Sequence, residues 1–439
     1  MKSKHRMLSA SLAMLLFVVG GLFAAGEQEA SMEGEEQLDL SFWAAPNPTQ
    51  EAFWSDMATR YTEANPNVSI EVSAIPESPT SEAGIQTAIA GGTAPTASEN
   101  IFVGFGGELI RSDAVVPLEG LEGWDEIIAG RSMQQTIENW QFGDGHYYIL
   151  PIYANAMLFS WRLDILDEIG YDEPPLSYEA IIEMGNTLQS EMDDTFVWAR
   201  NALTTNTWWE RWFDFFILYY AASDGRPLMQ GDEITADDEA AVEVLGFLQT
   251  LAENDMVLTQ ESQNPFETGL SVMIQLGPWT FPSWEEQYPE LTLDETFALT
   301  QPPAPADMVG GETKTFADAK GLVIYAQSGE SEQQGIWEFV RWVYSDPQND
   351  LKWMQDTNLP PARDDLATNS AFQDFFDENP ELVPYAENIK NAVPPISHPE
   401  FTEIQRALGD QAVIPVVRGQ KDPETAWNDW KSEVQSMIQ

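Results

Sequence analysis

Cysteine is absent from all 439 residues. That excludes disulfides, a thiolate zinc site, a cysteine nucleophile and a lipid-modified N-terminal cysteine. Histidine is almost absent: beyond the first 25 residues only His146 and His398 remain, which leaves little for a Ser-His-Asp arrangement. No G-x-S-x-G, Walker A or H-E-x-x-H run occurs. Gly104-Phe105-Gly106-Gly107 departs from the dinucleotide pattern because Leu109 stands where the last glycine belongs. Positive charge is scarce too. Lys+Arg 20 against Asp+Glu 72 leave a formal charge of −52, which repels nucleic acid and anionic membrane surfaces. The expectation is a chain with no cofactor, no metal and no nucleic-acid partner.

What is present argues for a folded, exported protein. Sixteen Trp, 22 Phe and 12 Tyr are too many large apolar groups for an acidic disordered chain, so the carboxylates are read as a coat on a globular surface. Such a coat suits a saline or alkaline habitat, where salt screens the repulsion. Lys2, Lys4 and Arg6 precede an apolar stretch, Leu8 to Ala25, that ends in small residues. This predicts a signal peptide over 1–25, with cleavage favoured over an uncleaved anchor, and a periplasmic or extracellular protein. The acidic run 26–36 is expected to be a disordered leader.

Hydrophobic period gives the fold class. Leu38, Leu40 and Phe42 alternate as in a half-buried strand, and Val68, Ile70 and Val72 repeat the pattern. Between them Phe53, Met57 and Tyr61 mark one helix face, with Thr49 as the expected cap and Asn65-Pro66 as the stop. Further helices are expected to open at Ser177 and Thr235, around Ile336 to Val343, and at Asp422-Pro423. The aromatic run Trp208 to Tyr220 reads as a mostly buried helix. Strand-like runs such as Gly321 to Ala326 fall between helices, so the chain is expected to be α/β with mainly parallel sheets.

Ordered segments then resemble one family. They are Leu40-Ser-Phe-Trp43, Asn65-Pro-Asn-Val68, Ala90-Gly-Gly-Thr-Ala-Pro95, Phe105-Gly-Gly107, Val116-Pro-Leu118, the G-x-x-Y-x-x-P run Gly145 to Pro151, and Pro174-Pro-Leu-Ser-Tyr-Glu179. Phe266 to Trp279 and Pro360-Pro-Ala-Arg-Asp364 complete the series. Together they resemble the extracellular solute-binding proteins of ABC transporters, family 1, the sugar-binding group that includes maltose-binding protein. Departures occur at Thr96, where aspartate is usual, and at Trp161-Arg162, where Tyr-Asn is usual.

The resemblance implies a two-lobed periplasmic binding protein fold of type II, with crossover strands joining the lobes and a ligand cleft between them. It places the N-terminal lobe at 37–153 plus 320–358 and the C-terminal lobe at 154–319 plus 359–439. Crossings are expected near Ile152 to Asn155, Phe316 to Lys320 and Leu359 to Arg363. The implied function is high-affinity binding of a carbohydrate, in all expectation an oligosaccharide, by a monomer that delivers it to an ABC transporter permease, without catalysis.

A sugar needs flat aromatics for its C–H face and amides, carboxylates or Arg for its hydroxyls. Candidate platforms are Trp43, Trp161, Trp208, Trp209 and Trp279, each weighed against ordinary packing. Trp279 is preferred because Gly277-Pro278 drives it out of the preceding apolar run. Candidate polar groups are Asn47, Glu99, Asn100, Asn155, Asp318 and Arg363, each of which could instead be a turn cap or surface group. Arg363 leads them because a guanidinium fork can take two hydroxyls, with a structural salt bridge as its rival. His398 and Phe401 are weaker choices. Two alternatives stay open: an aromatic box for a quaternary ammonium solute, and a secreted glycoside hydrolase using two of the many carboxylates.

Overall fold

A computed structural model of the protein describes residues 37–77, 80–192 and 194–438. The expected signal peptide and acidic leader lie outside the described residues. The strands are β1 (Leu38–Ala44), β2 (Val68–Ala74), β3 (Ala97–Ile101), β4 (Leu150–Ala156), β5 (Leu158–Arg162), β6 (Phe196–Ala199), β7 (Met229–Gln230) and β8 (Glu233–Ile234). They continue as β9 (Val257–Leu258), β10 (Ser271–Leu276), β11 (Phe297–Thr300), β12 (Thr315–Ile324) and β13 (Ala392–Val393).

Two sheets organise the chain. The first is six-stranded, ordered β13-β12-β3-β1-β2 with β4 against β12; the second is five-stranded, ordered β11-β5-β10-β6-β9. β1 and β2 pair in parallel from Leu38↔Val68 to Ala44↔Ala74, as a β-α-β crossover requires. The helix between them, Pro48–Ala64, buries Phe53, Met57 and Tyr61. Its cap is Asn47, whose side chain accepts the backbone N–H groups of Thr49 and Gln50, so Thr49 lies inside the helix. Asn47 wins because Pro48 takes the first helical position, where a missing N–H costs nothing.

The sheets are mixed, not mainly parallel. β12 runs antiparallel to both β3 and β4, and β5 runs antiparallel to both β10 and β11. The reason is connectivity: chain passing between two sheets and back must meet its neighbours in opposite directions. The helix after Ser177 starts as expected, with the Ser177 hydroxyl accepting Ala180 N–H. The one after Thr235 begins later, because Asp237 caps it. The aromatic run is broken in two at Asp214, whose carboxylate accepts Phe215 N–H and opens helix Phe215–Ala222. Asp422 caps the last helix, Pro423–Met437, which buries Trp427, Trp430 and Val434. With no disulfide available, stability rests on this apolar burial, worth about 1.5–3 kcal/mol per large side chain.

Candidate functional site

Three chain segments lie side by side in the first sheet and along its β4 edge. β4 pairs with β12, placing Asn155 opposite Asp318 and Tyr153 opposite Lys320. On the other edge of β4, Ala154 N–H donates to Pro360 O at 3.1 Å and Ala362 N–H to Ile152 O at 3.0 Å. Because side chains alternate along a strand, Tyr153, Asn155, Asp318 and Lys320 share one face of this ribbon. β3 ends against it, at Gly321↔Ile101. There Lys320 Nζ donates to Asn100 Oδ1 at 2.7 Å. Neighbouring Glu99 accepts Ala45 N–H at 2.8 Å.

The electrostatics of this patch follow from burial. Glu99 is 1% exposed. Desolvation pushes its carboxyl up to about 7, against the opposing pull of the Ala45 N–H and the Lys320 ammonium. Burial also raises Asp318, which Lys320 partly offsets. The Tyr153 hydroxyl is driven well above its ordinary range by burial and then by Asp318 and Glu99. Lys320 thus faces two carboxyls whose pKa values burial raises. Asn155 is 1% exposed; neither its amide oxygen nor its nitrogen reaches hydrogen-bond geometry with another described residue, though the amide lies close enough to Asp318 to hold that carboxyl down. A buried amide left unpaired costs about 1–3 kcal/mol, so the site has capacity for a further polar partner.

The aromatic candidates separate by exposure. Among the described residues, the exposed large apolar side chains are Trp209 at 43%, Trp279 at 44% and Val309 at 37%. Trp279 stands just past the end of β10, where Leu276 pairs with Leu158, two residues after the crossing strand β4. Its ring folds back over Gly277, where any Cβ would lie inside the indole. Trp43, near the end of β1, is half-buried. Trp208 is half-buried too, edge-on to Trp212 at 5.2 Å and Phe401 at 5.3 Å.

Four candidates have their polar groups or rings engaged within the protein. Trp161 is 0% exposed and donates its Nε1–H to Thr300 Oγ1 at 3.0 Å, within the second sheet's core. Arg363 is 2% exposed, its fork filled by Asp365 at 2.9 and 3.1 Å and by Asp350 at 3.0 Å. Three of its five N–H donors are thus taken by buried carboxylate contacts, which fix the guanidinium as a structural group. Asn47 spends its side-chain oxygen on the helix cap. His398 is buried, its Nε2 on Asp232 at 3.0 Å and its Nδ1 accepting Glu400 N–H. Sequence reasoning missed Tyr153 and Lys320; the signal was available, since each lies two residues from a chosen candidate on the same strand face.

Among the described residues no group of three or more His, Cys, Asp and Glu could hold a metal ion.

Residues 56–384 match the family of bacterial extracellular solute-binding proteins. The chain belongs to this family. An uncharacterized protein from Listeria monocytogenes EGD-e is 46% identical, with a TM-score of 0.90 over 92% of this chain and 100% of that one. The cyclic alpha-maltosyl-1,6-maltose binding protein from Arthrobacter globiformis is 16% identical, with a TM-score of 0.74 over 91% and 99%. The sugar-binding protein MalE from Xanthomonas citri is 18% identical, with a TM-score of 0.69 over 91% and 97%. The fold of this solute-binding protein is therefore the two-lobed, mixed α/β fold of the periplasmic sugar-binding proteins, as the motif series implied. No helix of the described residues is long and apolar enough to cross a membrane.

Proposed function

We propose that this solute-binding protein captures a carbohydrate of oligosaccharide size in the cleft between its lobes and delivers it, unaltered, to the permease of an ABC transporter outside the cytoplasm. The observation that carries this reading is the unpaired, buried Asn155 amide set among Asp318, Lys320, Asn100 and Glu99 at the crossing ribbon. Its free donor and acceptor suit a hydroxyl, which both gives and takes a hydrogen bond. Trp279 supplies an apolar face at the adjacent strand exit, as a pyranose ring needs. The proposed lobes are 37–153 plus 320–358 and 154–319 plus 359–439, acting as a monomer.

The Arthrobacter and Xanthomonas relatives are named for maltose-type and sugar ligands, so α-linked glucans head the panel for calorimetry, followed by other oligosaccharides and glycine betaine. Saturable heat with a sugar supports the proposal. Binding of betaine alone would replace the ligand class, and sustained hydrolysis of a bound glycan by pure protein would overturn the non-catalytic role.

A further inference from the structure

Helix Val103–Arg111 follows β3 directly, with Phe102 at its N-cap. Gly104 and Gly107 lie one turn apart, on one face of it. The segment 397–401 crosses that face. A Cβ at Gly104 would stand 2.7 Å from Phe401 Cγ, and one at Gly107 would stand 2.9 Å from the Ser397 carbonyl oxygen. Both glycines have helical backbone, so close approach explains them and conformational freedom does not. The Phe401 ring packs edge-on to Phe102 at 5.1 Å, and Phe102 in turn meets Trp212 at 6.0 Å. At the rim, Arg111 pairs with Glu400 at 3.2 Å, with both side chains largely exposed.

The segment leaves β13 of the first sheet and is then anchored to residues outside that sheet. Tyr220 Oη donates to Pro394 O at 2.9 Å. His398 holds Asp232, and Trp430 Nε1–H donates to Ile404 O at 3.2 Å in the helix that Phe401 begins. A helix attached to the first sheet is thus pressed against a segment tied to the second half of the chain, and the aromatic row continues from Trp212 to Phe316 of the second crossing, at 5.4 Å.

We infer that Phe401, seated on the Gly104–Gly107 face, is a latch that holds the two lobes together independently of ligand. A contact made only when the lobes meet favours the closed state by its whole free energy. The Arg111–Glu400 pair is exposed and screened, so it guides the approach and contributes little to the hold. The glycines remove every atom that would keep the ring and the 397–399 backbone from seating. This inference rests on the lobe-closure part of the proposed function and not on the identity of the ligand.

The test uses no sugar, which keeps its failure apart from a wrong ligand class. Because the chain has no cysteine, Glu63→Cys and Asn428→Cys, both exposed, take spin labels cleanly. Label-to-label distances are then compared with and without Gly107→Ala, a wedge that leaves no cavity, and Phe401→Leu, a milder change that keeps an apolar side chain. The expected result is a longer distance in both variants, with the closed-to-open ratio falling about tenfold or more for Gly107→Ala. Unchanged distances in folded variants would make the contact ordinary packing and overturn the latch. Circular dichroism confirms that each variant is folded.

Discussion

Asp350 bridges Arg131 and Arg363, at 2.8 Å and 3.0 Å, and all three side chains are 2% exposed or less. Arg131 also donates to the carbonyls of Pro151 and Ile152, each at 2.7 Å. One carboxylate therefore ties helix Pro347–Thr357 to the start of β4 and to the third crossing segment. Removing one member of such a group strands buried charge, at a cost of about 3–5 kcal/mol. Asp350→Asn and Arg363→Met should each lose stability on that scale in urea unfolding. Ligand affinity of the folded fraction should barely move; affinity loss without destabilisation would return Arg363 to the ligand site.

Glu99 should make stability fall as pH rises. Its native carboxyl titrates near 7, raised from 4.5 by burial, so between roughly pH 4.5 and 7 the native state holds a proton that the unfolded chain has lost. The full effect is about 3 kcal/mol, since each tenfold change in proton affinity is worth about 1.4 kcal/mol, and above pH 7 it is flat. Asp318 contributes a slope of the same sign, so the difference between wild type and Glu99→Gln isolates Glu99. Unfolding curves from pH 4 to 8 should converge at the acid end and separate in favour of the variant at neutral pH. Parallel curves would contradict the assignment.

Trp279→Ala should weaken sugar binding roughly tenfold to a hundredfold with little loss of melting temperature, because its indole is 44% exposed. Trp161→Ala should do the reverse, costing about 3–5 kcal/mol of stability. Gly277→Ala offers an independent check. Gly277 has an ordinary φ of −111°, so alanine adds no backbone strain and acts only by displacing the Trp279 ring. A Gly277→Ala protein that binds as tightly as wild type would dissociate Trp279 from the ligand.

Asn155→Leu should improve stability while harming function. The leucine keeps the same heavy-atom branching and removes an unpaired amide, relieving about 1–3 kcal/mol. Sugar affinity should drop by at least about tenfold, the value of a lost hydrogen bond to a buried group. A destabilised variant would mean that the amide is satisfied within the protein.

Salt should stabilise the fold. With 72 acidic against 20 basic residues, most surface carboxylates have like-charged neighbours, and raising ionic strength to about 1 M shrinks the Debye length to about 3 Å. Thermal melting across a sodium chloride series should show a rising midpoint; a flat series would remove the case for a saline habitat.

The sequence by itself determined the family, the alternation of helices and strands, and several helix starts, because these are written locally. The Ser177 and Asp422 caps, the two-residue period of Leu38 to Phe42 and the ordered motif series need only neighbouring residues to be read. The exit of Trp279 from β10 was legible for the same reason: Gly277-Pro278 ends a strand whatever surrounds it. Tertiary structure alone decided the direction of the crossing strands, the burial of Trp161 and the fate of Arg363. Its partner Asp350 serves Arg131 across 219 positions of chain. The raised carboxyl of Glu99 belongs with these, since desolvation depends on what distant segments bring over a side chain and leaves no mark on the residues beside it.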